Sequence, residues 1–319
     1  MDIEITSRLC GEKLNSRNAL LSRCNLKPDT AVEKTVLVWE DKKLIATGSR
    51  QGNILKCIAV DDAHQGDGLT ATVVTALRRD AFDNGHRRLF LYTKPQNAVM
   101  FSSLFFYPIA QTPDVLLMED QKNGIRNFLN DYPPPHIAKN VGAVVMNCDP
   151  FTLGHQYLIE TAAKQCEHLY VFVLSEDKGR FSATDRLEMV KRGTAKLTNV
   201  TVLPTGPYLI SAATFPTYFL KEKQSGSEVQ CRLDIAVFSK HYIPHFGITK
   251  RFVGEEPFCA VTRQYNAALK ALLPIEVVEI PRLEKGGIPV SASAVRQWLS
   301  DGNLKEAIAL VPQTTAEFF

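Results

Sequence analysis

No two cysteines in this sequence are spaced CxxC, and the seven present (Cys10, Cys24, Cys57, Cys148, Cys166, Cys231 and Cys259) are odd in number and scattered. That pattern argues against a thiolate zinc site or a disulfide framework and for a reducing compartment. Also missing is any run of the ~18 apolar residues that a membrane span needs, and the opening residues, MDIEITSRLCGEK, hold no apolar leader core. A cytoplasmic protein with no membrane association is expected. An excess of one charge is absent too: 37 Lys+Arg against 34 Asp+Glu leave a formal net charge of +3. So weak a field does not suggest nucleic acid, although a small basic site for an anionic nucleotide is compatible with it. No internal repeat or long low-complexity segment occurs.

What is present is an ordinary globular composition, 45% hydrophobic and 22% charged, over 319 residues. That length favours two domains, each with its own core. The clearest linker is Asn130-Asp131-Tyr132-Pro133-Pro134-Pro135-His136. Three consecutive prolines join neither a helix nor a central strand and act as a stiff spacer. The expected domains are therefore residues 1–135 and 136–319.

Residues 141–165 organise the second of these. The run from Val141 to Met146 has the β-branching and length of a buried strand, and from Gly154 onward Tyr157, Leu158, Thr161 and Ala162 share a helical face. Between them lies Asn147-Cys148-Asp149-Pro150-Phe151-Thr152-Leu153-Gly154-His155. A strand feeding a helix through such a turn aims unpaired helix amides above the sheet, which makes an anion site. Gly154 lets backbone approach a phosphate, His155 can donate to a phosphoryl oxygen, and Thr152 adds a hydroxyl. Cys148, within the turn, reads as a small buried apolar residue. Thr152-Leu153-Gly154-His155 resembles the (H/T)xGH signature of the nucleotidyltransferase superfamily.

A second strand at residues 168–174 is followed by a loop carrying Lys178 and Arg180, then by a helix opened by a capping box from Ser182 to Asp185. Alternating strands and helices indicate a parallel, doubly wound sheet, whose ligands sit beyond the carboxyl ends of the strands. Lys178 and Arg180 at that edge are candidates to hold phosphates; the alternative is a solvated basic loop. Farther on are a short strand at 199–203, a segment with Ser211 and Thr214 suited to an acceptor pocket, an exposed polar stretch at 221–228, a helix at 233–241 and a strand at 250–254. That strand delivers Gly254, Glu255 and Glu256 to the same edge, where a carboxylate can meet ribose hydroxyls or magnesium-bound water, or can be an ordinary surface charge. A helix at 261–272 and a strand at 275–280 lead to Val290-Ser291-Ala292-Ser293-Ala294-Val295-Arg296. Its serines precede a helix, and Arg296 lies one turn on, a set that can grip triphosphate oxygens. An N-capping serine followed by an exposed arginine is the plainer alternative. The stretch resembles the superfamily's second signature, ISSTxxR, with Val290 for the Ile and Ala292 for a Ser.

In the first domain, strands at 34–40, 43–48 and 53–60 form an expected antiparallel meander. Gln65-Gly66-Asp67-Gly68-Leu69-Thr70 then opens an amphipathic helix bearing Leu69, Val73, Ala76 and Leu77. The segment resembles the (Q/R)xxGx(G/A) acyl-CoA motif of the GNAT acetyltransferase family, with Gln65 and Gly68 in place and Thr70 departing from the final Gly/Ala. A strand at 88–93, a helix near 97–106 and Phe106-Tyr107 continue the likeness. It implies a GNAT-like α+β domain followed by a Rossmann-like parallel-sheet nucleotidyltransferase domain, an α/β protein in all.

A GNAT-like half, both signatures, and RFVGEEPF followed by Thr262, Tyr265 and Asn266 together resemble the citrate (pro-3S)-lyase ligase family. The resemblance implies that acetate and ATP acetylate the thiol of a CoA-like prosthetic group on the citrate lyase acyl-carrier subunit, releasing AMP and pyrophosphate. Magnesium is the implied cation, bridging phosphates and with no protein ligand set of its own. On this reading His155, Lys178 and Arg296 are catalytic. Asn147, Thr152, Gly154, His155, Arg180, Gly254, Ser291, Ser293 and Arg296 bind ATP, and Gln65 and Gly68 meet the carrier's pantetheine. Alternatives are an adenylyltransferase making dephospho-CoA or NAD, and a non-catalytic nucleotide sensor that docks a carrier.

Overall fold

The computed structural model describes residues 1–134, 138–177, 179–209, 215–220, 225–256, 260–285 and 288–319. Lys178, Ser211 and Thr214, together with part of the proline linker, lie outside them. The chain divides into two compact units, Met1–Gly124 with Phe215–Leu233, and Ile125–Thr214 with Asp234–Phe319.

The first unit holds β1 (Asp2–Thr6), α1 (Gly11–Arg23), β2 (Lys34–Glu40), β3 (Lys43–Gln51), β4 (Ile54–Val60), α2 (Leu69–Asp83), β5 (Phe90–Thr93), α3 (Ala98–Ser103), β6 (Tyr107–Gln111) and β7 (Leu116–Glu119). The expected meander is present as β2 to β4; Asp41 and Lys42, both at positive φ, make the tight turn between its first two strands. The seven strands run in the order β1-β2-β3-β4-β5-β7-β6. Among the described residues β4 and β5 form the sheet's one parallel pair, in register only at Ile54↔Phe90 and Leu55↔Leu91. Leu69, Val73, Val74, Leu77 and Ala81 of α2 are buried against Val36, Val38, Leu55 and Leu91. A Cβ on Gly48 would sit 2.4 Å from Val73 Cγ1, so this close approach of helix to sheet requires glycine.

In the second unit α4 (Gly124–Asn130, its first residue in the first unit) precedes β8 (Val141–Met146), α5 (Leu153–Ala163), β9 (His168–Val173), α6 (Ala183–Thr194) and β10 (Val200–Pro204). The chain continues through α7 (Gly226–Val237), α8 (Ile243–Phe246), β11 (Lys250–Gly254), α9 (Ala260–Leu272), β12 (Glu276–Ile280), α10 (Ala292–Ser300), α11 (Leu304–Ile308) and α12 (Gln313–Ala316). The five strands are all parallel, in the order β10-β9-β8-β11-β12. This is the doubly wound arrangement expected, with its reversal of strand order between β8 and β11. Ile159 and Met189, of α5 and α6, are buried in one cluster with Val144, Val171 and Phe252. Rings of Phe238, Tyr242 and Phe246 meet Phe172 at 5.2–6.2 Å. The helix expected at 233–241 begins earlier, at Gly226, and passes through a π-helical turn at Phe238–Tyr242. No helix among the described residues is long and apolar enough to cross a membrane.

Candidate active site

The pairing of β8 with β11 explains where a ligand can enter. β8 pairs with β9 along its whole length, from Val141↔His168 to Met146↔Val173, whereas β8 and β11 are in register only at Lys250↔Gly142 and Arg251↔Ala143. Their carboxyl ends therefore part at the point where strand order reverses, the expected crevice of such a sheet. A cavity of about 170 Å³ lies there, lined by Thr152, Gly154, His155, Gly254, Glu256, Arg282 and Ser291 among others.

Two helices turn their amino ends to it. Thr152 is the N-cap of α5: its Oγ1 accepts from the His155 amide at 3.3 Å, and its own amide donates to His155 Nδ1 at 3.1 Å. Because Nδ1 accepts, Nε2 is the ring nitrogen that carries the proton. Burial, with the positive charge of Arg282, holds the His155 pKa down at about 4, so the ring is a neutral N–H donor at physiological pH. Ser291 caps α10 in the same way, accepting from the Ala294 amide at 3.1 Å. A Cβ on Gly154 would meet the Val290 carbonyl at 3.3 Å, so the two signature turns share a wall. Convergent helix amino ends concentrate unpaired N–H groups and partial positive charge where an anion can be held. Gly254 is fixed by the buried Asn266, which donates to its carbonyl at 3.0 Å, and the Glu255 amide donates to the Ile280 carbonyl at 2.9 Å.

The other expected residues gather around Asp149, which follows Cys148, a buried residue at positive φ. The Asp149 carboxylate accepts from the amides of Arg180 (3.1 Å) and Phe181 (3.0 Å). Arg296 donates to the Asp149 carbonyl and stands 3.7 Å from its carboxylate, while its Nη2 reaches Ser293 Oγ at 3.5 Å. Arg180 also bonds Ser300 Oγ at 3.2 Å. Asp149 thus ties the first signature, the 179–181 loop and α10 together. A Cβ on Gly179 would lie 2.5 Å from Asp149 Oδ2, so only glycine fits at that place. Asn147 is exposed, and its side chain accepts from Arg186 at 2.7 Å. Lys178 lies outside the described residues.

Three contributors were not singled out by sequence reasoning. Asp149 lies in the turn ahead of the Thr152–His155 signature and is not part of it. Arg186, on α6 and 1% exposed, donates to the carbonyls of Asn147 (2.7 Å), Phe181 (3.3 Å) and Glu176, binding the loops after β8 and β9 together. Arg282 follows β12 directly at the carboxyl edge, a position the doubly wound pattern marks out. It pairs with Glu256 at 2.6 Å.

In the first unit the same device recurs. Beyond their two paired positions β4 and β5 part, and a cavity of about 670 Å³ opens there, lined by Ile58, Val60, Gln65, Gly68, Thr93 and Tyr218 among others. Gly68, in the left-handed region, is the N-cap of α2, and the Gln65 amide group donates to Asp62 at 2.8 Å.

The family model of the citrate lyase ligase C-terminal domain matches residues 141–319. A citrate (pro-3S)-lyase ligase of Klebsiella pneumoniae is 41% identical over 309 residues, 93% of this chain and 90% of that protein. A phosphopantetheine adenylyltransferase of Clostridium botulinum is 44% identical over 79 residues, 24% of this chain and 44% of its own length. The solved structure of an acyl-CoA N-acyltransferase from Pseudomonas aeruginosa covers 38% of this chain and 100% of its own at 11% identity and a TM-score of 0.33. Near-complete coverage at 41% identity, with the family model spanning the whole parallel-sheet half, settles the matter of kinship: the chain belongs to the citrate (pro-3S)-lyase ligase family.

Proposed function

We propose that this ligase uses ATP to acetylate the thiol of the CoA-like prosthetic group on the citrate lyase acyl-carrier subunit. In the first step an acetate oxygen attacks the α-phosphorus of ATP, and the bond to the pyrophosphate oxygen breaks with its electron pair leaving on pyrophosphate. In the second, the carrier thiol sulfur attacks the acetyl carbonyl, AMP leaves with the carboxyl oxygen that bridged to phosphorus, and the thiol proton passes to solvent. No covalent enzyme intermediate is required, so catalysis rests on positioning and on charge stabilisation.

The observation that carries the reading is the meeting of Thr152, Gly154, His155 and Ser291 at one cavity beneath two helix amino ends. On it, His155 Nε2–H and the α5 amides hold phosphoryl oxygens at the reacting centre. Ser291, Ser293 and Arg296 take the outer phosphates, with Arg180 and Lys178 neutralising the leaving group. Asn147 and Gly254 complete the nucleotide's walls. Among the described residues no group of three or more His, Cys, Asp or Glu gathers to cage a metal ion. Glu255 lines the cavity, however, and can accept from metal-bound water. Magnesium bound with the nucleotide would supply charge neutralisation on the phosphates. The larger cavity of the first unit, with Gln65 and Gly68 on its rim, receives the pantetheine arm of the carrier. Free thiols at Cys10, Cys24, Cys57, Cys148, Cys166 and Cys231 suit a cytoplasmic setting.

The test is incubation of the purified chain with ATP, magnesium and a series of acids, reading AMP and pyrophosphate. Pyrophosphate release that depends on acetate supports the ligase. Dependence on phosphopantetheine or nicotinamide mononucleotide would instead mark a cofactor adenylyltransferase, and no release at all a sensor. His155→Ala and Arg296→Ala should each lower adenylation by roughly 100-fold or more with the fold intact, and normal turnover in either removes that residue from the site.

A further inference from the structure

Arg282 is a cavity-lining cation that neither signature contains. It stands just past β12, with Nη1 donating to Glu256 Oε1 at 2.6 Å and Nη2 to the Val290 carbonyl at 3.5 Å. The two side chains are only 21% and 19% exposed, so this pair differs from surface ion pairs that water and salt render nearly worthless. The Val290 carbonyl is also the nearest atom to a Cβ built on Gly154. The guanidinium therefore shares a wall with the α5 amino end, and its charge is felt at His155.

We propose that Arg282 binds a phosphate of the nucleotide, and that Glu256 is a built-in competing anion which that phosphate displaces. The inference rests on the nucleotide reading above. A polyphosphate entering between α5 and α10 meets the Glu256 carboxylate, which lines the same cavity and repels it. Arg282 offsets that repulsion, and its planar fork fits phosphoryl oxygens as well as it fits the carboxylate now held. Exchange favours the anion of higher charge. A polyphosphate can take the guanidinium from Glu256, while acetate, a single carboxylate like Glu256 itself, gains nothing by doing so. The pair thus keeps the acid substrate out of the phosphate subsite.

Titration calorimetry gives the dissociation constant for ATP with magnesium in the wild-type chain and in R282Q, R282K and E256Q. The Michaelis constant for acetate and the urea midpoint of each protein are measured alongside. R282Q should weaken ATP binding roughly tenfold or more, with R282K between it and the wild type. E256Q should tighten ATP binding several-fold, because the competitor is gone. A structural ion pair predicts a different result: loss of either partner lowers the urea midpoint and moves ATP affinity the same way or not at all. Weaker ATP binding in E256Q, or unchanged binding in R282Q, overturns the proposal. The two readings fail separately. Opposite affinity shifts without acetate-dependent AMP formation leave Arg282 in place and remove the ligase chemistry, whereas AMP formation without those shifts removes only the role of Arg282.

Discussion

Protonation of His155 should destabilise this protein in a way that can be measured apart from every other titration. Its ring is held neutral in the folded state, with a pKa lowered from 6.5 to about 4 by burial and by Arg282. Added to this, Nδ1 already accepts from the Thr152 amide, so a proton there would break the ring's half of the capping box at the start of α5. The unfolded chain therefore binds more protons between these two values, and stability falls as pH drops through the unfolded pKa toward the folded one. Going from about pH 7.5 to about pH 5, the two pKa values give a loss of about 2 kcal/mol from this residue alone. Asp234 acts in the opposite sense. Burial raises its carboxyl to about 6 despite the Tyr265 hydroxyl donating to it at 2.5 Å, so its contribution is present at low pH and lost as pH rises. Because Asp234 titrates in both proteins, the contrast between wild type and His155→Gln isolates the imidazole. Urea unfolding of each at the two pH values should show the wild type losing about 2 kcal/mol more than the variant. Equal losses would refute the neutral, Nε2-protonated ring and the donor role built on it.

Other outcomes follow from the same geometry. Acetate-dependent AMP formation should show no acid limb near pH 6.5, read from a kcat profile at saturating acetate, since His155 remains a neutral donor well below that pH. Arg186→Met leaves three carbonyls without their donor; it should cost roughly 3 kcal/mol in urea unfolding and slow adenylation as the loops after β8 and β9 come apart. Gly179→Ala forces a Cβ against Asp149 and should lower kcat/KM by roughly 10-fold or more with only a small change in the urea midpoint. Substitutions at Gln65 and Gly68 should abolish carrier acetylation and spare acetyl adenylate formation, whereas equal loss of both steps would separate the first unit from the carrier.

The strand, turn and helix of residues 141–163 were legible because a β-branched run, a Gly-Pro turn and a 3.6-residue period all point the same way. The second signature was legible for the same reason, although the serine's two readings are not exclusive: Ser291 caps α10 and also lines the cavity. Arg186 was not, because an arginine on an amphipathic helix looks like a solvated residue until the carbonyls around it are known. β1 is hard to read from the sequence because Ile3 and Ile5, which mark its alternation, are about half exposed. Nothing local in the sequence encodes that β4 and β5, or β8 and β11, pair at two positions and then part, yet that splaying opens both cavities. It depends on registers set by residues far apart in the chain. The start of α7 is not marked in the sequence because the polar residues after Ser225 look like loop, while the helix takes its amphipathic face from residues farther on.

The reaction route can be read from the fate of one oxygen atom. Acetate labelled with oxygen-18 in both carboxyl positions is turned over with ATP, magnesium and the thiol form of the carrier, and the products are weighed by mass spectrometry. Attack on the α-phosphorus at the His155–Ser291 cavity predicts one labelled oxygen in each AMP and none in pyrophosphate. Label in a terminal phosphate, or AMP free of label, would contradict the account.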